Sequence, residues 1–103
     1  MTHHRITFRT EALEQLEEIY DYIAAAGSPG NAAGFTESII SFCERLADFP
    51  YRGMARDDLR PSLRTIGYKK STMIAYATLN HRVTIVGIFY GGRDYEYLLV
   101  ASE

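Results

Sequence analysis

At 103 residues and 11.7 kDa the chain has room for one hydrophobic core, and with 47% apolar and 23% charged residues it has the composition of a folded domain. A net charge of −2 argues against a general nucleic-acid binder, and a single cysteine, Cys43, excludes a disulfide framework or a multi-cysteine zinc site. No apolar run approaches the ~18 residues of a membrane span, and Met1-Thr2-His3-His4-Arg5 has no apolar segment of the secretory type, so a cytoplasmic location is expected.

Along the chain, Arg5-Ile6-Thr7-Phe8-Arg9 alternates polar and apolar residues, as a short strand does. Thr10 is placed to cap a helix in which Ala12, Leu13, Leu16, Ile19, Tyr20 and Ile23 share an apolar face. Glu14, Glu17, Glu18 and Asp21 occupy the solvated side of that helix, and Gly27 is placed to end it. Ser28-Pro29 restarts a helix, cap then first helical residue, with Phe35, Ile39, Phe42, Cys43 and Leu46 as its stripe and Phe49-Pro50 as its end. The link between the two helices is short, so an antiparallel hairpin is expected. Residues 51–61, broken by Gly53 and Pro61, read as a loop. Three strands follow, at about Leu63–Tyr68, Thr72–Thr78 and Arg82–Tyr90, joined by Lys69-Lys70-Ser71 and Leu79-Asn80-His81. Gly91-Gly92 ends the last strand and lacks a phosphate-loop fingerprint. Tyr95–Ala101 fits a short helix or an edge strand equally.

The expected fold is α+β in the order β-α-α-β-β-β, an antiparallel sheet with the first strand at an edge and a helical hairpin on one face. Both faces of the strands are apolar. Regular alternation puts Val83, Ile85, Gly87 and Phe89 on one side, and Thr84, Val86, Ile88 and Tyr90 on the other. The helices cover only one face, so the other is expected to be covered partly by residues 95–100 and otherwise by a partner chain.

Charge is unevenly spread: residues 1–50 hold 8 acids and 3 bases, residues 51–103 hold 5 acids and 8 bases, and 9 of the 11 bases are arginine. Arginine forks pair with carboxylates and phosphates and stack on aromatic rings. Arg56, Arg60, Arg64 and Arg93 therefore form a candidate contact set for an acidic partner or a phosphate, with a merely solubilising role as the plain alternative. Cys43, on an apolar stripe, reads as an inert core thiol. His81 reads as a solvated turn residue, and His3 and His4 as a terminus without further metal ligands. No metal or other cofactor is expected.

Taken together, several segments resemble toxins of the ParE branch of the ParE/RelE superfamily, the toxic halves of bacterial toxin–antitoxin pairs. The resemblance rests on the order and spacing of Ala12–Ile23, Leu46-Ala47-Asp48-Phe49-Pro50, Gly53, Arg56–Arg60, Leu63-Arg64, Ile74-Ala75-Tyr76 and Val83–Asp94, across about residues 6 to 95. It implies a type II toxin neutralised by a cognate ParD-like antitoxin and acting on DNA gyrase by binding, with no catalytic residues and no sequence-specific nucleic-acid contact. Target or partner contacts are then expected at Arg56, Arg60, Arg64, Tyr76, Tyr90 and Arg93, and an antitoxin groove at Leu16, Tyr20, Ile74, Tyr76, Val86 and Ile88. The alternatives are a ribosome-dependent messenger-RNA endoribonuclease of the RelE type, or a degenerate scaffold that only binds an antitoxin. Against the ribonuclease stand the low pI of about 5.9 and only two lysines. A further departure is Tyr90, which stands where the superfamily usually has a histidine ahead of the terminal Arg-Asp.

Overall fold

A computed structural model describes residues 5–101; His3 and His4 lie outside the described residues. The elements are β1 (Arg5–Phe8), α1 (Thr10–Ala26), α2 (Pro29–Arg45), β2 (Met54–Ala55), β3 (Leu63–Tyr68), β4 (Thr72–Leu79), β5 (Arg82–Tyr90) and α3 (Tyr95–Ala101). The loop expected at residues 51–61 contains the short edge strand β2, and the ambiguous C-terminal segment is a helix.

The local signals account for most of these boundaries. Ser28 Oγ accepts the Asn31 N–H at 3.1 Å, with Pro29 in the first turn, so α2 begins as expected. The start of α1 differs. Arg9 occupies the cap position without a side-chain cap hydrogen bond, and Thr10 is already helical. The reason is tertiary: Arg9 N–H still donates to the Ile85 carbonyl of β5 at 3.0 Å, while the Arg9 carbonyl accepts Leu13 N–H at 3.1 Å. One residue thus ends a strand and opens a helix. At the β4–β5 turn, Asn80 and His81 both have positive φ, 53° and 60°. That geometry matches the twist of the flanking strands.

The sheet order is β1-β5-β4-β3-β2. β2 to β5 pair antiparallel, but β1 runs parallel to β5, so the sheet is mixed rather than wholly antiparallel. The parallel register sets Ile6 beside Val83 and Phe8 beside Ile85, which brings both apolar side chains of β1 against the core beneath the helices.

A bulge corrects the expected alternation of β5. Ala75 pairs with Gly87 and Tyr76 with Ile85, which leaves Val86 as an extra residue. The phase flips there. Val83, Ile85, Ile88 and Tyr90 all pack towards α1 and α2, while Val86 and Phe89 belong to the opposite face. β1 pairs no further than Ile85; beyond it Gln15 of α1 takes over, its Oε1 accepting the Ile88 N–H at 2.7 Å.

The second face is closed by the chain itself. Leu63, Ala75, Phe89 and Leu99 form a buried cluster, flanked by Leu59, Val86, Tyr95 and Leu98. The partner chain expected there is not needed for these residues, because α3 folds back under the sheet.

Candidate functional site

The six residues expected to make target or partner contacts fall into three places. Two arginines of the segment between β2 and β3 hold α3. Arg56 grips Asp58 through Nε and Nη2 at 3.0 and 2.9 Å, and its Nη2 donates to Glu96 of α3 at 2.6 Å. The paired hydrogen bonds hold the Asp58 carboxyl below its ordinary pKa and push the Arg56 guanidinium above its own. Arg60 donates from Nε and Nη2 to the Leu99 carbonyl, at 3.0 and 2.6 Å.

A second pair fixes the segment between α2 and β3. Arg64 Nη1 donates to the carbonyls of Tyr51 and Gly53 at 3.1 and 2.6 Å, and its guanidinium lies 5.2 Å from the Tyr51 ring centre. Tyr76 is fully buried, and its Oη accepts the Gly53 N–H at 2.8 Å. Burial raises the Tyr76 pKa, against the opposing pull of the Gly53 N–H and the charges of Arg64 and Arg52. The approach is so close that a Cβ on Gly53 would stand 2.7 Å from Tyr76 Oη and 2.8 Å from the Thr65 carbonyl oxygen.

The third pair opens on a cleft. Tyr90, half-buried at the end of β5, meets the rings of Tyr22 and Phe35 edge-on at 5.9 and 5.7 Å. Arg93 approaches Glu18 at 3.6 Å with about half of its side chain exposed. Between α1 and the end of β5 these residues, with Gln15, bound a cleft of about 310 Å³. It offers aromatic walls, one cation, one carboxylate and one amide, a set suited to gripping a polypeptide. Gln15, Glu18 and Tyr22 are its unforeseen members. The signal was available in Gln15, an uncharged polar residue beside the apolar stripe of α1.

The expected antitoxin groove does not form one surface. Leu16, Ile74, Tyr76 and Ile88 are buried in the core beneath the helices, Tyr20 is half-buried, and Val86 lies with the α3 cluster on the other face. Strand alternation places side chains on a face but says nothing of what already covers it.

No histidine among the described residues converges on Tyr90, which shares its cleft with the Glu18 carboxylate and Arg93. His81, the one histidine among the described residues, precedes β5 at its opposite end, roughly 27 Å of strand away. Cys43 is fully buried, and burial, with a smaller push from Glu44, raises its thiol to about 12. Among the described residues no three His, Cys, Asp or Glu side chains are grouped to hold a metal ion, and no helix is long and apolar enough to cross a membrane.

The family model described as "ParE toxin of type II toxin-antitoxin system, parDE" matches residues 6–95. No individual curated protein matches in sequence. Among solved structures, the chromosomal ParDE system of P. aeruginosa superposes with a TM-score of 0.76 at 17% identity, covering 88% of this chain and 99% of that one. A free-state mutant of the E. coli toxin RelE gives 0.67 at 13% identity, with 97% and 96% covered. The RelBE toxin–antitoxin complex from Mycobacterium tuberculosis gives 0.59 at 14%, with 85% and 98% covered. At such identities the structural likeness speaks for the fold, and the family model carries the assignment.

Proposed function

This chain belongs to the ParE family of toxins from type II toxin–antitoxin systems, and we propose that it acts by binding DNA gyrase and is neutralised by a ParD-like antitoxin. The observation that carries the choice of a binding mechanism over RNA cleavage is the occupation of its arginines. Of Arg56, Arg64, Arg82 and Arg93, the residues a ribonuclease would use for gripping phosphates, Arg56 is engaged with Asp58 and Glu96, Arg64 with the Tyr51 and Gly53 carbonyls, and Arg93 approaches Glu18. RNA affinity falls steeply as phosphate contacts are lost, and among the described residues no histidine lies beside Tyr90 to act as a general acid.

The target contact on this reading is the cleft of Tyr90, Arg93, Glu18 and Tyr22, and the antitoxin neutralises by covering it. The arginines of the first two groups act indirectly, by holding α3 and the Gly53 segment in place. Antitoxin partnership is supported by the likeness to the P. aeruginosa ParDE system and to the M. tuberculosis RelBE toxin–antitoxin complex.

The test uses purified gyrase, supercoiled plasmid and the full chain. The expected result is an accumulation of cleaved gyrase–DNA complexes that an excess of antitoxin abolishes and that Arg93→Ala weakens. Codon-positioned cutting of messenger RNA on translating ribosomes, with gyrase untouched, would overturn the proposal in favour of the RelE-type reaction. Activity in neither assay leaves the antitoxin-binding scaffold.

A further inference from the structure

α3 does not close the whole of the second face. Its cluster takes in Leu63, Ala75 and Phe89, and the half of that face towards the β4–β5 turn is left to β1, the end of β4 and the start of β5. Ile6 and Val83 pair and pack into the core beneath the helices. The pairs on either side of them, Arg5 with Arg82 and Thr7 with Thr84, therefore project from the opposite face. We infer that this open half-face binds the phosphate backbone of duplex DNA.

Charge is the first support. The parallel register seats Arg5 and Arg82 side by side in adjacent strands, about 4.8 Å apart. Like charges directly opposite destabilise a sheet. Both residues are exposed, and neither side chain has an ion pair or hydrogen bond among the described residues to offset that cost. Arg9 prolongs the line in extended backbone, about 13 Å from Arg5, and borders a depression with Val86 of the same face. Its ion pair with Glu11, at 3.8 Å, joins side chains 52% and 61% exposed and is screened by solvent. The acids that make the net charge negative stay out of the sheet, whose five strands carry Arg5, Arg64 and Arg82 and no Asp or Glu. Arg64 stands beside Tyr76 and is engaged with the Tyr51 and Gly53 carbonyls.

The neighbouring side chains select the kind of anion. Thr7, exposed, and Thr84, half-buried, set two hydroxyls between the cations. Arginine and threonine are regular donors to phosphate oxygens. A polypeptide partner would need a buried aromatic or apolar anchor. Leu79, 63% exposed opposite Arg82, is the one large apolar side chain that the described residues place on this half. Single strands are gripped by stacking on aromatic rings, and these positions carry none. A duplex strand passing along the ~13 Å line would present about four phosphates to it. The choice of DNA rests on the gyrase reading above, in which the toxin sits beside a DNA duplex. The half-face lies across the sheet from the cleft, so both can be engaged at once.

The experiment measures fluorescence anisotropy of a labelled short DNA duplex with the full chain, without gyrase, over a series of salt concentrations. Binding is expected to weaken with salt at a slope of about −2 to −3 in log K against log [salt]. Arg5→Gln and Arg82→Gln should each weaken binding several-fold and reduce the magnitude of that slope by about one. Arg82→Lys should retain both, and Lys70→Ala, in the turn at the other end of the sheet, should change neither. Urea unfolding of the same variants should show no lowered midpoint, because each Gln relieves a like-charge contact. Weaker binding accompanied by a lowered midpoint would assign the arginines to the fold and overturn the site. Binding that survives both Gln variants would overturn it too, as would capture of polyglutamate in place of the duplex or a preference for duplex RNA over DNA. Gyrase is absent from this measurement, so its failure leaves the cleft untouched, and failure of the plasmid-cleavage test leaves duplex binding measurable by itself.

Discussion

On the face of the sheet beneath α1 and α2, Ile39, Cys43, Ile74, Tyr76, Val83 and Ile85 are wholly excluded from solvent. On the opposite face α3 contributes one buried side chain among its described residues, Leu99, and leaves Tyr97 67% and Val100 51% exposed. The first face is held by apolar area gathered from two 17-residue helices and four strands. The second is held by a small cluster and by polar grips, Arg60 on the Leu99 carbonyl and Arg56 on Glu96. A 7-residue helix is too short to be stable by itself. α3 therefore exists because it is docked, whereas the helical hairpin supplies much of the main buried core. One fold thus carries a strongly cooperative layer and a weakly attached one.

Breaking the first layer should have the largest effect. Ile85→Ala, at a fully buried position facing the helices, is expected to cost about 2–5 kcal/mol of global stability, read from urea unfolding. The same layer gives a pH signature. The Cys43 thiol is raised from 9.0 to about 12 in the fold, so the unfolded chain releases its proton first. The associated stability is present below pH 9.0 and is lost as pH climbs towards about 12. Cys43→Ala should flatten that alkaline decline in a series of unfolding curves, and an unchanged slope would assign it to other groups such as Tyr76.

The junction between the layers is sharpened by Gly53→Ala. The added methyl would press on Tyr76 Oη and on the Thr65 backbone, with an expected loss of about 1–3 kcal/mol. Tyr76→Phe is the companion measurement. It removes the acceptor of the buried Gly53 N–H but relieves the crowding, so Gly53→Ala should cost less in its presence, and additivity of the two would contradict the crowding argument.

The smallest effect belongs to the second layer. Arg60→Ala removes both hydrogen bonds to the Leu99 carbonyl. It should weaken α3 docking by about 1–2 kcal/mol while leaving global unfolding nearly unchanged. Hydrogen exchange resolves this: the amides of α3 should exchange faster and those of α1 should not. Equal acceleration in both helices would show that the layers unfold together.

Legibility in the sequence followed the same division. The helical hairpin was readable because Leu16, Ile19, Ile39 and Phe42 repeat at helical spacing and Ser28-Pro29 marks a restart. The meander was readable because its turns are short and its strands rich in branched and aromatic residues. The site was less readable. Arg64 and Tyr76 carried the right chemistry for partner contact, yet both are engaged in holding the Gly53 segment. The groove assigned from alternation included Leu16, Ile74 and Ile88, which the helices already bury.

By itself the sequence determined the element types, the hairpin, the antiparallel meander and the family, because each follows from local periodicity, turn chemistry or ordered spacing. Only the tertiary structure decided the direction of β1, the reversal of phase at Val86, the burial of the second face by α3 and the partner taken by each arginine. Those outcomes depend on contacts between residues tens of positions apart, such as Gln15 with Ile88 and Arg60 with Leu99, and no local pattern encodes which distant group a backbone amide or a guanidinium will meet.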